Sequence, residues 1–271
     1  MLKNKNFKIL ISDFDGTLFR TDKTVSKANL DAINAFKARG GIFAVCTGRM
    51  TAGIELVLKN LGYKGLFVSF NGAEIVDTEK GVLYSNKIKN DLLYKVTKFI
   101  EDRGVYVQAY PDNKLLISRY NENTEFYLSF NKVEFIVKNP IHEYIKESGV
   151  ESAKILIFDD PEKIDGILGD LRVSFPELEV VRASDKMVEI TNKGVLKSDG
   201  IKRLSEIYNV PVSEIIAMGD AGNDVSMLRA AGLGIAVGNA SDEVKAASDL
   251  VVPSCDEDAV KYVIENYCIE S

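Results

Sequence analysis

The sequence predicts an α/β protein: a doubly wound parallel sheet interrupted midway by a second, smaller α/β unit. Three observations predict it. Short, continuously apolar runs such as Ile9-Leu10-Ile11 and Ile42-Phe43-Ala44-Val45-Cys46 alternate with segments of helical period, as expected for parallel strands covered on both faces. Each run leads into a polar or glycine-bearing turn: Asp13-Phe14-Asp15-Gly16-Thr17, then Thr47-Gly48-Arg49, then Asn71-Gly72. The composition shifts near residue 86, where Tyr, Phe, Asn and Lys become frequent, and shifts back near residue 190. A discontinuous core is therefore expected, residues 1–85 and 190–271, with a cap domain over 86–189.

Taken in order, Ile9 to Ile11 form the first strand, and Asp13 falls at its end. Ser26 can cap a helix whose apolar positions Leu30, Ile33 and Phe36 keep helical spacing, and Gly40-Gly41 closes it. Ile42–Cys46 is the second strand, a helix is expected from about 51 to 61, and 66–70 is the third strand. Glu74-Ile75-Val76 and Val82-Leu83-Tyr84 suggest a β-ribbon across a charged turn containing Glu79-Lys80. The cap reads as helix (91–103), strands (105–110 and 115–118), helix (124–130), strand (153–158), helix (161–171), and strands near Val180 and Val188. A helix bearing Ile201, Leu204 and Tyr208 then leads to a strand over 214–218. That strand ends in Gly219-Asp220-Ala221-Gly222-Asn223-Asp224; a strand over 233–237 ends in Gly238-Asn239-Ala240. A short strand over 250–252 and an amphipathic helix with Val260, Val263, Ile264 and Tyr267 complete the core.

Composition narrows the function. With 271 residues, 46% apolar and 27% charged, the chain is an ordinary globular protein large enough for two modest domains. A net charge of −6 offers no basic surface for nucleic acid or anionic lipid. No run approaches the ~20 apolar residues of a membrane helix, and Met1 to Asn6 carry no signal-peptide character. Three cysteines without metal-ligand spacing and a single histidine argue against a zinc site and fit reduced thiols in a cytoplasm.

The strand ends carry the chemistry. Ligands of open parallel sheets sit beyond the carboxyl ends of the strands, where Asp13 and Asp15 fall. The plain alternative is that Asp and Gly merely shape the bend. However, Asp13, Asp15, Asp220 and Asp224 all belong to one rim of the sheet, and such a group cannot stay ionised without a cation. Hard oxygen donors without His or Cys point to Mg²⁺. The Thr47 hydroxyl and the Gly48 N–H, opening a helix, suit a phosphate, and Lys197 adds a point charge.

These motifs, in this order, resemble those of the haloacid dehalogenase superfamily. The cap between the second and third motifs, with Gly238-Asn239-Ala240 after the fourth, resembles the Cof-type sugar-phosphate phosphatases, which carry a class IIB cap. The resemblance spans essentially the whole chain. It implies that Asp13 is a nucleophile forming an aspartyl-phosphate and that Asp15 is the general acid and then the general base. It also implies a Mg²⁺ held by Asp13, the Asp15 carbonyl and Asp220, with Asp224 acting mostly through water. Thr47 and Gly48 would bind the phosphoryl group, with Arg49, Asn71 and Asn223 as further substrate or phosphate contacts. Lys193 stands four residues before Lys197, and either can supply the phosphate lysine; the family spacing favours Lys197. Arg49 reads equally as a surface ion pair, and Asn71 as a residue tolerating a left-handed turn.

The expected activity is a Mg²⁺-dependent phosphomonoesterase acting on small soluble phosphate esters, with a cap that closes over the substrate. A hexose phosphomutase using the same phosphoaspartate, or a non-catalytic Mg²⁺- and phosphate-binding regulator, are the alternatives. Tyr110, Asp112 and Lys114 form a cap loop that can face the site. His142 reads as a surface residue, Tyr120, Phe126, Tyr127 and Phe130 as cap core or the seam beside it, and Cys46 as a small apolar filler. Oligomeric state and substrate identity are not legible.

Overall fold

The structure, a computed structural model, describes residues 7–268, so the polar lead-in over 1–6 lies outside the described residues. Strand β1 (Ile9–Asp13) is buried at every position. Helix α1 (Lys27–Ala38) is capped by Ser26, whose side chain accepts the Asn29 N–H. Then come β2 (Ile42–Cys46), α2 (Thr51–Asn60), β3 (Leu66–Ser69), β4 (Glu74–Asp77) and β5 (Gly81–Ser85). The expected ribbon is present as the neighbouring strands β4 and β5. Strand β4 pairs antiparallel with β3, so both strands extend the main sheet.

The inserted segment runs α3 (Asn90–Glu101), β6 (Val107–Ala109), β7 (Leu115–Ile117), α4 (Glu122–Phe130), β8 (Phe135–Val137), α5 (Ile141–Ser148), β9 (Ile155–Phe158), α6 (Pro161–Ser174), β10 (Leu178–Ser184) and β11 (Met187–Asn192). The chain returns through α7 (Lys197–Tyr208), β12 (Ile215–Gly219), α8 (Val225–Ala230), β13 (Leu233–Val237), α9 (Asp242–Ala246), β14 (Leu250–Val252) and α10 (Ala259–Val263). Two compact units result. One groups residues 1–48, 58–84 and 196–271; the other groups 49–57 and 85–195.

The first unit holds an eight-stranded sheet of order β14-β13-β12-β1-β2-β3-β4-β5. It is parallel from β14 through β3, which explains the unbroken apolar runs. Ile9, Leu10 and Ile11 are fully buried; each such side chain contributes roughly 1.5–3 kcal/mol of hydrophobic stabilisation. Strand β1 lies between β12 and β2, so the strand order reverses there and a crevice opens at its carboxyl end.

The second unit holds a six-stranded sheet of order β10-β11-β9-β6-β7-β8. Val107, Ala109, Ile155, Ile157, Val188 and Ile190 face one side and pack with apolar residues of α3, α5 and α6. This aliphatic layer is the core of the unit, so the aromatic cluster is not that core. Phe126 meets Phe158 edge-on and Tyr127 tilts against Tyr110, so α4 covers the face that Phe158 takes by strand alternation. Tyr120 and Phe126 stay half exposed, and the Phe130 side chain lies outside the described residues. Tyr110 is buried within this unit, and Lys114 pairs with Glu134 at 3.1 Å.

His142 is a second correction. It is buried on α5, with Nδ1 2.6 Å from Glu101 Oε2. The Glu101 carboxylate also accepts the N–H groups of Ile141 and His142, and so caps the amino end of α5. No local signal marks this pairing, because its carboxylate comes from α3, 41 residues earlier. Among the described residues no helix is long and apolar enough to cross a membrane.

Candidate active site

Asp13 closes β1 and lies in register with Cys46 of β2. Asp220 follows β12 directly, and Asp224 ends the short turn over Gly222–Asp224. Neighbouring strands stand about 4.8 Å apart, so residues at the ends of β1 and β12 are brought together despite a separation of some two hundred positions. One ligand oxygen from each of Asp13, Asp220 and Asp224 lies within 4.8 Å of the others. Lys197, the first residue of α7, donates from Nζ to Asp13 Oδ1, and to Asp224 Oδ1 at 2.5 Å.

The backbone around these groups is shaped to admit them. The second Asp224 oxygen accepts the N–H groups of Asp220 and Ala221, each at 2.9 Å, and so folds the turn around itself. A Cβ at position 219 would lie 2.4 Å from Asp224 Cβ, which requires glycine there. Thr17 donates from Oγ1 to Asp220 Oδ1 at 2.7 Å. Gly16 adopts φ +90°, and a Cβ there would reach within 2.6 Å of Asp220 Oδ2. Thr17 was not singled out as an Asp220 partner from sequence; its only signal is its place in the Asp13–Thr17 motif.

Electrostatics follow from burial. Asp13, Asp224 and Lys197 are nearly inaccessible to solvent. Burial pushes the Asp13 carboxyl up to about 8; Lys197 pulls it down, while Asp224 and Asp220 push it further up. Asp220 is also raised, first by burial. Burial alone would weaken the Lys197 ammonium, but Asp13 and Asp224 reverse this and hold it above the ordinary lysine range. Three carboxylates against one ammonium leave a charge deficit that a hard divalent cation would fill, and the oxygen-only donor set suits one. Cys46 does not compete as a ligand, since burial pushes its thiol up to about 12.

Four residues expected at a phosphate form an adjacent group. Thr47 directly follows β2, and its carbonyl accepts the Asn71 N–H at 3.0 Å. Asn71 is left-handed at φ 55°. Its Oδ1 accepts Asn223 Nδ2 at 3.3 Å and lies 3.0 Å from where a Cβ on Gly48 would stand. Arg49 falls in the second unit, where it acts electrostatically on the Tyr127 hydroxyl together with Glu189. Asp15 is exposed and outside the carboxylate cluster. It sits in a tight loop closed by Gly16 N–H to Phe19 O (3.1 Å) and Phe19 N–H to Phe14 O (2.7 Å). Of the two candidate lysines, Lys197 joins the carboxylates, while Lys193 donates to the Pro176 carbonyl at 3.4 Å. Asp199 lies in the first turn of α7, where a negative charge complements the helix dipole.

Aspartates and one lysine gathered at the switch point of a parallel sheet suit phosphate-ester chemistry. A family model for haloacid dehalogenase-like hydrolases matches residues 10–264, and the chain belongs to that family as a Cof-type phosphatase. It is 28% identical to phosphatase YwpJ of Bacillus subtilis, over 96% of this chain and 99% of the relative. Among solved structures, TM0651 of Thermotoga maritima superimposes with a TM-score of 0.86 at 28% identity, covering 96% of this chain and 97% of that one. The subclass IIB sugar phosphatase BT4131 gives a TM-score of 0.76 at 26% identity, covering 95% and 98%.

Proposed function

We propose that this phosphatase is a Mg²⁺-dependent phosphomonoesterase of small soluble phosphate esters, sugar phosphates foremost, working through an aspartyl-phosphate on Asp13. The observation that carries the reading is the contact of the β1 carboxylate with a buried ammonium in a site still short of positive charge. Asp13, the Asp15 carbonyl and Asp220 would hold the cation, with Asp224 nearby. Bound there, Mg²⁺ supplies the positive charge that lets an anionic nucleophile approach an anionic phosphate.

The chain's own groups do the rest. An Asp13 oxygen forms the new bond to phosphorus as the bond to the ester oxygen breaks, and Asp15 gives that oxygen a proton. Asp15 then takes a proton from water as it attacks phosphorus, releasing phosphate and restoring the Asp13 carboxylate. Lys197 keeps Asp13 oriented and offsets the charge on the transferring group. Thr47, the Gly48 N–H, Asn71 and Asn223 would receive phosphoryl oxygens, with Arg49 as a further substrate contact. The likeness to a sugar phosphatase supports the substrate class, and the free cysteines support placement in the cytoplasm.

The testing experiment is a panel of hexose phosphates, nucleotides and pyridoxal phosphate ranked by kcat/KM. Free phosphate from sugar phosphates is expected. Interconversion of hexose phosphates that depends on a bisphosphate, without phosphate release, would replace the reading with a phosphomutase; binding without turnover would replace it with a regulator.

Two predictions arise directly. EDTA is expected to stop turnover and Mg²⁺ to restore it. In the cation-free protein, Asp13 contributes stability that is complete below its ordinary 3.8 and lost as pH rises through about 8. Mg²⁺ competes with that proton, so the rise in Tm on adding it is expected to be larger near pH 8 than near about pH 5.5. At a hundredfold excess over Kd the stabilisation is about 2.7 kcal/mol. A Tm response that is flat or reversed with pH would contradict the shared site. Separately, Asp15→Asn is expected to cost roughly 10²–10⁴-fold with alkyl phosphates. It should cost far less in phosphoenzyme formation from para-nitrophenyl phosphate, whose leaving group needs no proton; equal losses would remove Asp15 from the acid role.

A further inference from the structure

Asn239, in the turn after β13, is exposed, yet both ends of its amide are taken by the backbone of other segments. Its Nδ2 donates to the Gly16 carbonyl at 2.8 Å, and its Oδ1 accepts the Cys255 N–H at 2.9 Å. The turn that carries it is itself held. The Gly238 N–H donates to Pro253 O at 3.3 Å, the Ala240 N–H to Val237 O at 3.0 Å, and the Ser241 N–H to Asp220 O at 3.4 Å. The usual reason for asparagine in a turn does not apply, because Asn239 is absent from the residues with left-handed backbone. What distinguishes asparagine here is one donor and one acceptor at a fixed spacing.

The Gly16 carbonyl belongs to the loop that presents Asp15. That loop is fastened on its inner side, where Thr17 bonds Asp220, and a Cβ at position 16 would run into the same carboxylate. The Asn239 bond is made by the next turn of the rim, which also touches Asp220 through Ser241. We propose that Asn239 is a positioning residue for the phosphatase reaction: it holds the Gly16 carbonyl and thereby fixes where the Asp15 carboxyl meets the leaving-group oxygen. The inference rests on the reading of Asp15 as the proton donor. In the step concerned, the Asp13 oxygen–phosphorus bond forms, the phosphorus–ester oxygen bond breaks, and the Asp15 proton passes to that oxygen. Proton transfer requires heavy-atom separations of about 2.6–3.2 Å, so a loosened loop penalises poor leaving groups selectively.

The test compares wild type, Asn239→Ala, Asn239→Asp and Asp15→Asn at saturating Mg²⁺, reading kcat/KM with a hexose phosphate and with para-nitrophenyl phosphate. Asn239→Asp keeps an acceptor for Cys255 N–H but has no donor for Gly16. Both Asn239 variants are expected to lose about 10-fold with the hexose phosphate, part of the ~10²–10⁴-fold that general acid catalysis supplies. With para-nitrophenyl phosphate they are expected to lose less than about twofold, since that leaving group needs no proton. Equal losses on both substrates, no loss, or wild-type behaviour of Asn239→Asp would overturn the proposal. If Asp15→Asn does not discriminate between the substrates, the acid reading fails and takes this inference with it. If Asp15→Asn discriminates and the Asn239 variants do not, only this inference fails.

Discussion

Asp13→Asn is expected to abolish turnover, by on the order of 10⁴-fold or more, as for removal of other covalent nucleophiles, while leaving the protein at least as stable. The amide keeps the shape of the side chain and cannot displace an ester oxygen from phosphorus. Stability is preserved because the carboxylate it replaces is costly where it stands: burial and two neighbouring aspartates hold it up at about 8. Lys197 keeps its second partner, Asp224, at 2.5 Å. The paired measurement is kcat/KM together with Tm. Loss of activity with an undiminished Tm is the expected pattern; residual turnover near the wild-type rate would remove Asp13 from the nucleophile role.

Lys197→Met carries the second large effect, and it falls on stability and catalysis together. Among the described residues, Lys197 is the one cation paired with both Asp13 and Asp224. Methionine matches its length and supplies no charge. Breaking a buried pair by removing one partner typically costs about 3–5 kcal/mol, because the remaining charge is left without compensation. Protonation of Asp13 relieves part of that cost at low pH, so the deficit in Tm is expected to widen as pH rises. Mg²⁺ is expected to restore part of the Tm, and activity is expected to stay down by roughly 10²–10³-fold, as when one preorganised electrostatic group is removed. A Tm insensitive to the substitution across this pH range would contradict the arrangement of one ammonium between two buried carboxylates.

The parts of the fold that are legible from sequence are those whose signal is local. Strands β1 and β2 are buried on both faces and so read as unbroken apolar runs, and Ser26 precedes its helix where a cap belongs. The carboxylate cluster is legible because strands of one parallel sheet end on a common rim, so spacing along the chain translates into proximity. Strand β8 escapes notice because its three residues, Phe135-Ile136-Val137, are too short a run to display a strand period. Helix α5 spans eight residues, and the carboxylate that caps it belongs to α3. Asn239 acts on a backbone carbonyl, which every residue possesses, so no partner residue type marks its role. Arg49 directly follows a strand-end motif of the first unit yet groups with the second, a division set by tertiary contacts alone.

The central claim, a covalent phosphoryl intermediate on the carboxylate that ends β1, is tested most directly by trapping it. The enzyme would be quenched in acid during turnover of a sugar phosphate with Mg²⁺, reduced with borohydride and digested. Mass spectrometry of the peptide containing residue 13 then reports whether its side chain was an acyl phosphate, which borohydride converts to homoserine. Homoserine at position 13, present only with both substrate and Mg²⁺, is the predicted result. An unmodified residue 13 under active turnover, or conversion at another carboxylate, would contradict it.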